Sequence, residues 1–125
     1  MSRVVGVGCR ASAGKSSLIE AIERALVAAP GPLDTLATSA DRAGTTSVLA
    51  AAKHFGLRVV PVDLSDMRGV ATSTQSERIL SKFGVGSLSE AVALTVAGGN
   101  ARLLSPREIS SDRMATAAIA EGDRT

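Results

Sequence analysis

Apolar and polar positions fall into short blocks along the first half of the chain, and the blocks change period as they go. Val4-Val5-Gly6-Val7-Gly8 is an unbroken apolar run and reads as a short buried strand. From Leu18 the apolar positions are Leu18, Ile19, Ile22, Ala25 and Leu26, with Glu20, Glu23 and Arg24 between them, which is the period of a helix. Pro30-Gly31-Pro32 breaks that helix from the next element. Leu33 to Thr38 reads as a second strand and Thr38 to Thr46 as a polar loop. Ser47 to Phe55 reads as a second helix, stopped by Gly56, the residue best suited to a left-handed C-terminal position. Leu57 to Val62 reads as a third strand. Pro61 cannot donate to a ladder, so this strand belongs at a sheet edge. Strand and helix alternate, which predicts a parallel sheet covered by helices.

The second half is patterned differently. Ser65 to Ser73 is polar and reads as irregular. Two S/T-x-x-E signatures follow, Thr74-Gln75-Ser76-Glu77 and Ser87-Leu88-Ser89-Glu90, each of which marks a helix N-terminus. The first helix should run through Lys82 and end near Gly84. The second should run to about Ala97 and end at Gly98-Gly99. Ala101 to Arg107 and Met114 to Ala120 read as strands. The polar turn Ser110-Ser111-Asp112 between them is so short that they must be antiparallel. The expected fold class is therefore α/β, with a mixed, mainly parallel sheet and a C-terminal antiparallel strand pair. Residues 1–120 form one domain and residues 121–125 a frayed tail.

Composition narrows the function classes. A chain of 125 residues that is 45% apolar can bury a real core as one domain. No apolar stretch is longer than that of Val48 to Ala52, too short to cross a bilayer, and the N-terminal apolar run is too short for a signal peptide. A cytoplasmic protein that meets no membrane is expected. The net charge is only +2 and the charges are interspersed. With no Trp or Tyr to stack on bases, nucleic-acid binding is disfavoured. One cysteine and one histidine exclude an internal disulfide and a zinc site, so no metal or cofactor is expected.

Candidate chemistry concentrates in the first loop. Gly8-Cys9-Arg10-Ala11-Ser12-Ala13-Gly14-Lys15-Ser16 resembles a phosphate-binding loop, but five residues separate its glycines where the motif allows four. The motif's first glycine position is occupied by Cys9. Asp63, the formal candidate for a metal-holding acid, follows the edge strand. Nucleotide hydrolysis is accordingly disfavoured. What survives is a strand that runs through a small-residue loop into a helix, an arrangement whose free N–H groups suit anions. Arg10 and Lys15 add positive charge there. Cys9 could be an activated thiol at a helix N-terminus, but no base is near in sequence, and packing in a tight turn explains it better. His54, late in the second helix, reads as a surface residue. Thr74, Ser76, Ser87 and Glu90 could line a polar pocket, although capping alone accounts for Thr74, Ser87 and Glu90.

The order of segments resembles a known family. Val4-Val5-Gly6-Val7-Gly8-Cys9-Arg10 opens the match. It continues with Leu36-Ala37-Thr38 and the loop at Asp41-Arg42, Ala51 to Val60, Thr74-Gln75-Ser76-Glu77-Arg78, and Gly86 to Leu94. Arg102-Leu103-Leu104-Ser105-Pro106-Arg107 and Met114 to Ala120 close it. This set is similar to the CobE family of cobalamin biosynthesis, the domain that also closes the longer protein CbiG. The resemblance implies a three-layer α/β/α domain that binds a precorrin or corrinoid intermediate as carrier or accessory factor, in company with other cobalamin-pathway enzymes. It implies, as the alternative, a precorrin hydrolase or isomerase using Cys9 or Glu90; a nucleotide-binding module is a third and weaker reading. The expected ligand contacts are Gly8, Cys9, Arg10, Thr38, Asp41, Arg42, Thr74, Ser76, Ser87 and Glu90, at the carboxyl ends of the parallel strands. Arg10 should carry more of the affinity than Arg107.

Overall fold

In the computed structural model, residues 2–67, 70–72, 75–77, 79–80 and 87–123 are described. They build a five-stranded sheet from β1 (Ser2–Cys9), β2 (Thr35–Ser39), β3 (Arg58–Val62), β4 (Arg102–Ile109) and β5 (Ala115–Gly122). The spatial order is β3-β2-β1-β5-β4. β1 pairs parallel with β2, and β2 with β3, while β5 runs antiparallel to both β1 and β4. Only β5 therefore opposes the other strands. Pro61 does lie on an edge strand, with β3 closing one side of the sheet. β1 is central, and its residues from Val4 to Gly8 are buried, which is why its apolar run is continuous.

Two helical layers cover the sheet. α1 (Lys15–Ala28) and α2 (Thr46–Phe55) lie on one face. There Leu18, Ile22 and Val48 meet Val5, Val7, Leu36 and Ile119. α3 (Leu64–Met67) and α4 (Leu88–Ala97) cover the other face, where Met67, Val92 and Val96 meet Val4, Ala37 and Ala120. β1 thus sends Val5 and Val7 one way and Val4 the other, at the strand period of two. α4 is buried almost all round, and it presents a stripe of small residues, Ser89, Ala93 and Ala97, to the sheet. The sheet answers with glycines. A methyl group on Gly6 would overlap the Ser89 carbonyl oxygen and sit 2.8 Å from the Ala93 nitrogen, and one on Gly122 would overlap the Ala97 carbonyl oxygen. Backbone meets backbone at these crossings, so the helix rests closer to the sheet than side chains would permit.

Gly56 ends α2 in the left-handed conformation at φ 69°, as its position suggests. Ser87 caps α4, its hydroxyl accepting from the Glu90 N–H at 3.4 Å. α1 begins at Lys15 with Gly14 as its cap, and the Ser17 hydroxyl donates to Asp112 across the fold. Two expectations need correction. The stretch after β3 is not wholly irregular, because it contains α3. The tail does not fray at Glu121: Glu121 and Gly122 pair with Arg3 and Ser2, and the Asp123 N–H donates to the Gly99 carbonyl at 2.9 Å. The helix expected from Thr74 to Lys82 falls partly outside the described residues, Thr74 included. Glu77, Ile79 and Leu80 are helical, and the Ile79 N–H lies 3.5 Å from the Ser76 hydroxyl.

Candidate functional site

Because β5 runs against β1, the start of β5 lies beside the end of β1, with Ala115 opposite Cys9 and Thr116 opposite Gly8. The β4–β5 turn is thereby brought to the carboxyl ends of β1 and β2. A cleft of about 140 Å³ opens at this junction. Its walls come from Gly8, Cys9 and Arg10 after β1, from Ser39, Asp41 and Arg42 after β2, from Ser76, Ile79 and Leu88, from Arg107 on β4, and from Arg113 to Thr116. Four arginines, Arg10, Arg42, Arg107 and Arg113, and one acidic residue, Asp41, are among the lining residues. Four minus one leaves the lining at +3 on a protein whose net charge is +2. Arg42 is anchored, its Nε donating to the Cys9 carbonyl at 3.1 Å and its guanidinium 3.7 Å from Asp41. Among the described residues, Arg10, Arg107 and Arg113 have no carboxylate partner.

The local backbone fixes where these cations stand. Arg10 is pinned through its N–H, which donates to the Met114 carbonyl at 2.9 Å. Arg113 sits at φ 62°, a left-handed position uncommon for a non-glycine residue. The turn around it is tied down by Asp112, whose carboxylate accepts from the Ser110 hydroxyl at 2.6 Å, the Ser17 hydroxyl at 2.5 Å and the Met114 N–H at 3.1 Å. These bonds, the Ser110 one foremost, hold the Asp112 carboxyl below its ordinary value. Arg107 lies where the β4–β5 register slips between Ser105 and Glu108. This irregularity frees the Arg107 N–H from the ladder, and it donates instead to Glu90 Oε2 at 2.8 Å.

The structure therefore brings six of the expected contact residues into one cleft: Gly8, Cys9, Arg10, Asp41, Arg42 and Ser76. Three others stand behind it. Thr38 is buried and donates to the Val7 carbonyl at 2.9 Å. Ser87 is engaged as the α4 cap. Glu90 is fully buried, its carboxylate holding the β4 irregularity. Sequence reasoning missed Ser39, Arg113 and Thr116, and ranked Arg107 below Arg10 although both line the cleft. His54 is exposed on α2, edge-on to the Phe55 ring at 4.9 Å. Burial pushes the Cys9 thiol above its ordinary value; Arg42 opposes the rise and Asp41 adds to it. A thiol raised in this way supplies less of the nucleophilic thiolate.

The second half of the Gly8–Ser16 loop faces elsewhere. Ala11, Ala13, Gly14 and Lys15 line a second, shallower cleft against Thr45, Thr46, Ser47 and Ala50, between the starts of α1 and α2. Two N–H groups of this loop are already taken, Arg10 by Met114 and Ala13 by the Arg10 carbonyl at 3.0 Å. A phosphate cradle needs such donors free.

The arrangement of Glu90 gives a first expected outcome. Glu90→Ala leaves the part-buried Arg107 N–H without its acceptor, which costs roughly 1–3 kcal/mol. Glu90→Gln keeps an oxygen in place and should cost clearly less. Urea unfolding of the two variants measures the difference, and equal losses would show that the Arg107 bond contributes nothing.

Fold and cleft together define a three-layer α/β protein with a cationic cleft at the carboxyl edge of its sheet. The family described as Cobalamin synthesis G C-terminus matches residues 3–120, and the chain belongs to it. Solved structures agree. The cobalamin biosynthesis protein chiG from Agrobacterium tumefaciens is 35% identical, with a TM-score of 0.74, over 98% of this chain and 99% of that one. CobE, a protein from the cobalamin (vitamin B12) biosynthetic pathway, is 27% identical with a TM-score of 0.80, over 95% of this chain and 89% of that one. A putative cobalamin biosynthesis protein G homolog from Sulfolobus solfataricus shares the fold at 16% identity and a TM-score of 0.71, this chain spanning 37% of its length. No curated protein sequence matches the chain. The protein is thus a cobalamin-biosynthesis protein. Among the described residues, no helix is long and apolar enough to cross a membrane.

Proposed function

We propose that the protein binds a corrinoid intermediate in the arginine-lined cleft and carries or presents it to other enzymes of the pathway without altering it. The observation that carries this reading is the +3 lining at the carboxyl edge of the sheet, formed by Arg10, Arg42, Arg107 and Arg113 against Asp41. Corrin intermediates bear many carboxylates around an apolar ring. Guanidinium groups pair with carboxylates through two parallel N–H bonds, and their planar form suits this better than a lysine ammonium would. Ile79, Leu88 and Met114 supply apolar wall beside the cations, which suits the ring. A catalytic role has less support. Burial raises the Cys9 thiol above its ordinary value, and the carboxylate of Glu90 is buried and accepts from the Arg107 backbone N–H.

Titration with cobyrinic acid, a cobalt corrinoid with free carboxylate arms, tests the proposal. The protein has no Trp or Tyr, so the corrinoid band stands clear of it. A saturable one-to-one shift of that band, with the corrinoid recovered unchanged, is expected. No shift at millimolar corrinoid would refute binding, and a chemically altered corrinoid would refute the carrier role.

A further inference from the structure

The cleft holds a polar atom that the fold leaves unused. Ser39, the last residue of β2, lines the cleft and is 4% exposed, and its hydroxyl has no hydrogen-bond partner among the described residues. A buried hydroxyl without a partner destabilises the protein that carries it. Its neighbours Thr38 and Thr45 have both found carbonyl acceptors, those of Val7 and Arg42. Along β2, Ala37 and Ser39 share a face, so Ser39 stands on the side of the sheet that α4 covers, and it lines the same cleft as the arginines. Size is the second constraint. The cleft is partly open to solvent, and its volume of about 140 Å³ compares with the ~150 Å³ that accommodates a benzene-sized molecule. Pockets that enclose a drug-sized ligand start at roughly 300 Å³. A space of this size matches one arm of a macrocycle better than the macrocycle itself.

We propose that the cleft is a single-arm carboxylate site: one acidic arm of the ligand enters among Arg10, Arg42, Arg107 and Arg113 and accepts a hydrogen bond from the Ser39 hydroxyl, while the ring stays outside against the rim. This deepens the corrinoid reading and rests on it for the identity of the whole ligand, but the arm itself is recognised by chemistry that any short carboxylate shares. The site then distinguishes an acid from the amide of the same shape. A carboxylate offers acceptors to five possible donors. An amide carries no charge, and its NH₂ group would point donors at donors. A reaction that converted this arm to an amide would release the ligand.

Amide chemical shifts of the full chain, followed by NMR during titration with propionate, propionamide and sodium chloride, test this. Propionate should move the resonances of Arg10, Ser39, Arg42 and Thr116 saturably, while propionamide and chloride leave them in place. Ser39→Ala should weaken propionate at least fivefold and at the same time raise the melting temperature of the free protein, because it deletes an unpartnered hydroxyl. Equal shifts from propionamide, or from chloride at the same ionic strength, would overturn the proposal. So would a Ser39→Ala variant with unchanged propionate affinity. Cobyrinic acid, titrated separately, distinguishes the two readings. If it binds while propionate does not, the single-arm site is wrong and the corrinoid reading stands. If propionate binds as described and cobyrinic acid does not, the arm site stands and the corrinoid reading falls.

Discussion

Gly6→Ala is expected to cost the protein about 3 kcal/mol or more, a large part of the roughly 5–15 kcal/mol that holds a domain of this kind together. Alanine in place of glycine within a strand ordinarily helps by roughly 0.5–1 kcal/mol, because the unfolded chain loses freedom. Here the sign reverses. The added methyl group would overlap the Ser89 carbonyl oxygen and press on the Ala93 backbone nitrogen. Neither obstacle is the flexible end of a side chain, so relief requires moving α4 as a body. α4 also carries Leu88 into the cleft wall and Glu90 under Arg107, and a displaced helix would disturb both. Gly44→Ala is the control, since a methyl group there meets nothing within 4 Å. Urea unfolding should show Gly44→Ala equal to or slightly above the parent and Gly6→Ala far below it. Equal stability of the two variants would mean that α4 does not lie on β1 as described.

The second large effect concerns ligand affinity. Arg10→Ala and Arg107→Ala should each weaken cobyrinic acid by roughly 1.5–3 kcal/mol, about ten- to a hundredfold in Kd, the scale of a hydrogen bond to a charged group. Of the two, Arg107 is half-buried and its backbone is fixed by Glu90, whereas Arg10 is exposed and more open to screening by salt. The larger loss, and the weaker salt dependence of what remains, are therefore expected for Arg107→Ala. This inverts the order suggested by position along the chain alone. Arg24→Ala, on α1 in an i,i+4 pair with Glu20 at 3.0 Å, should leave binding unchanged. If Arg24→Ala weakened binding as much as the cleft variants, attraction to net charge would explain the affinity and the cleft would not.

Most local features could be read from residue pattern because their causes are local. The helical period from Leu18, the glycine stop at Gly56, the Ser87 cap and the antiparallel closing pair all depend on neighbours within a few positions. The placement of β5 between β1 and β4 depends on pairing across the whole chain, such as Val4 with Ala120, and no short-range signal marks it. That placement decides the cleft, since it carries Arg113, Met114 and Thr116 to the end of β1. Arg113 was invisible for a second reason: a left-handed arginine has no sequence signature, unlike the glycine usually found there. Glu90 was visible as a helix-start residue, yet its carboxylate serves a distant strand. Ser39 falls in the stretch Thr38 to Thr46 that reads as a polar loop, and its burial without a partner among the described residues is what sets it apart. Thr38, next to it, is the residue that the sequence offers as a ligand contact, but the alternation of side chains turns it towards Val7.

The crystal structure of the complex with cobyrinic acid is the most direct test of corrinoid binding at the carboxyl edge of the sheet. The expected result is one carboxylate arm between Arg42 and Arg107 within hydrogen-bond distance of the Ser39 hydroxyl, and the ring resting on the rim formed by Ile79, Leu88 and Met114. A corrinoid seated instead in the shallow cleft between Gly14-Lys15 and Thr45-Thr46, or on a face remote from all four arginines, would contradict it.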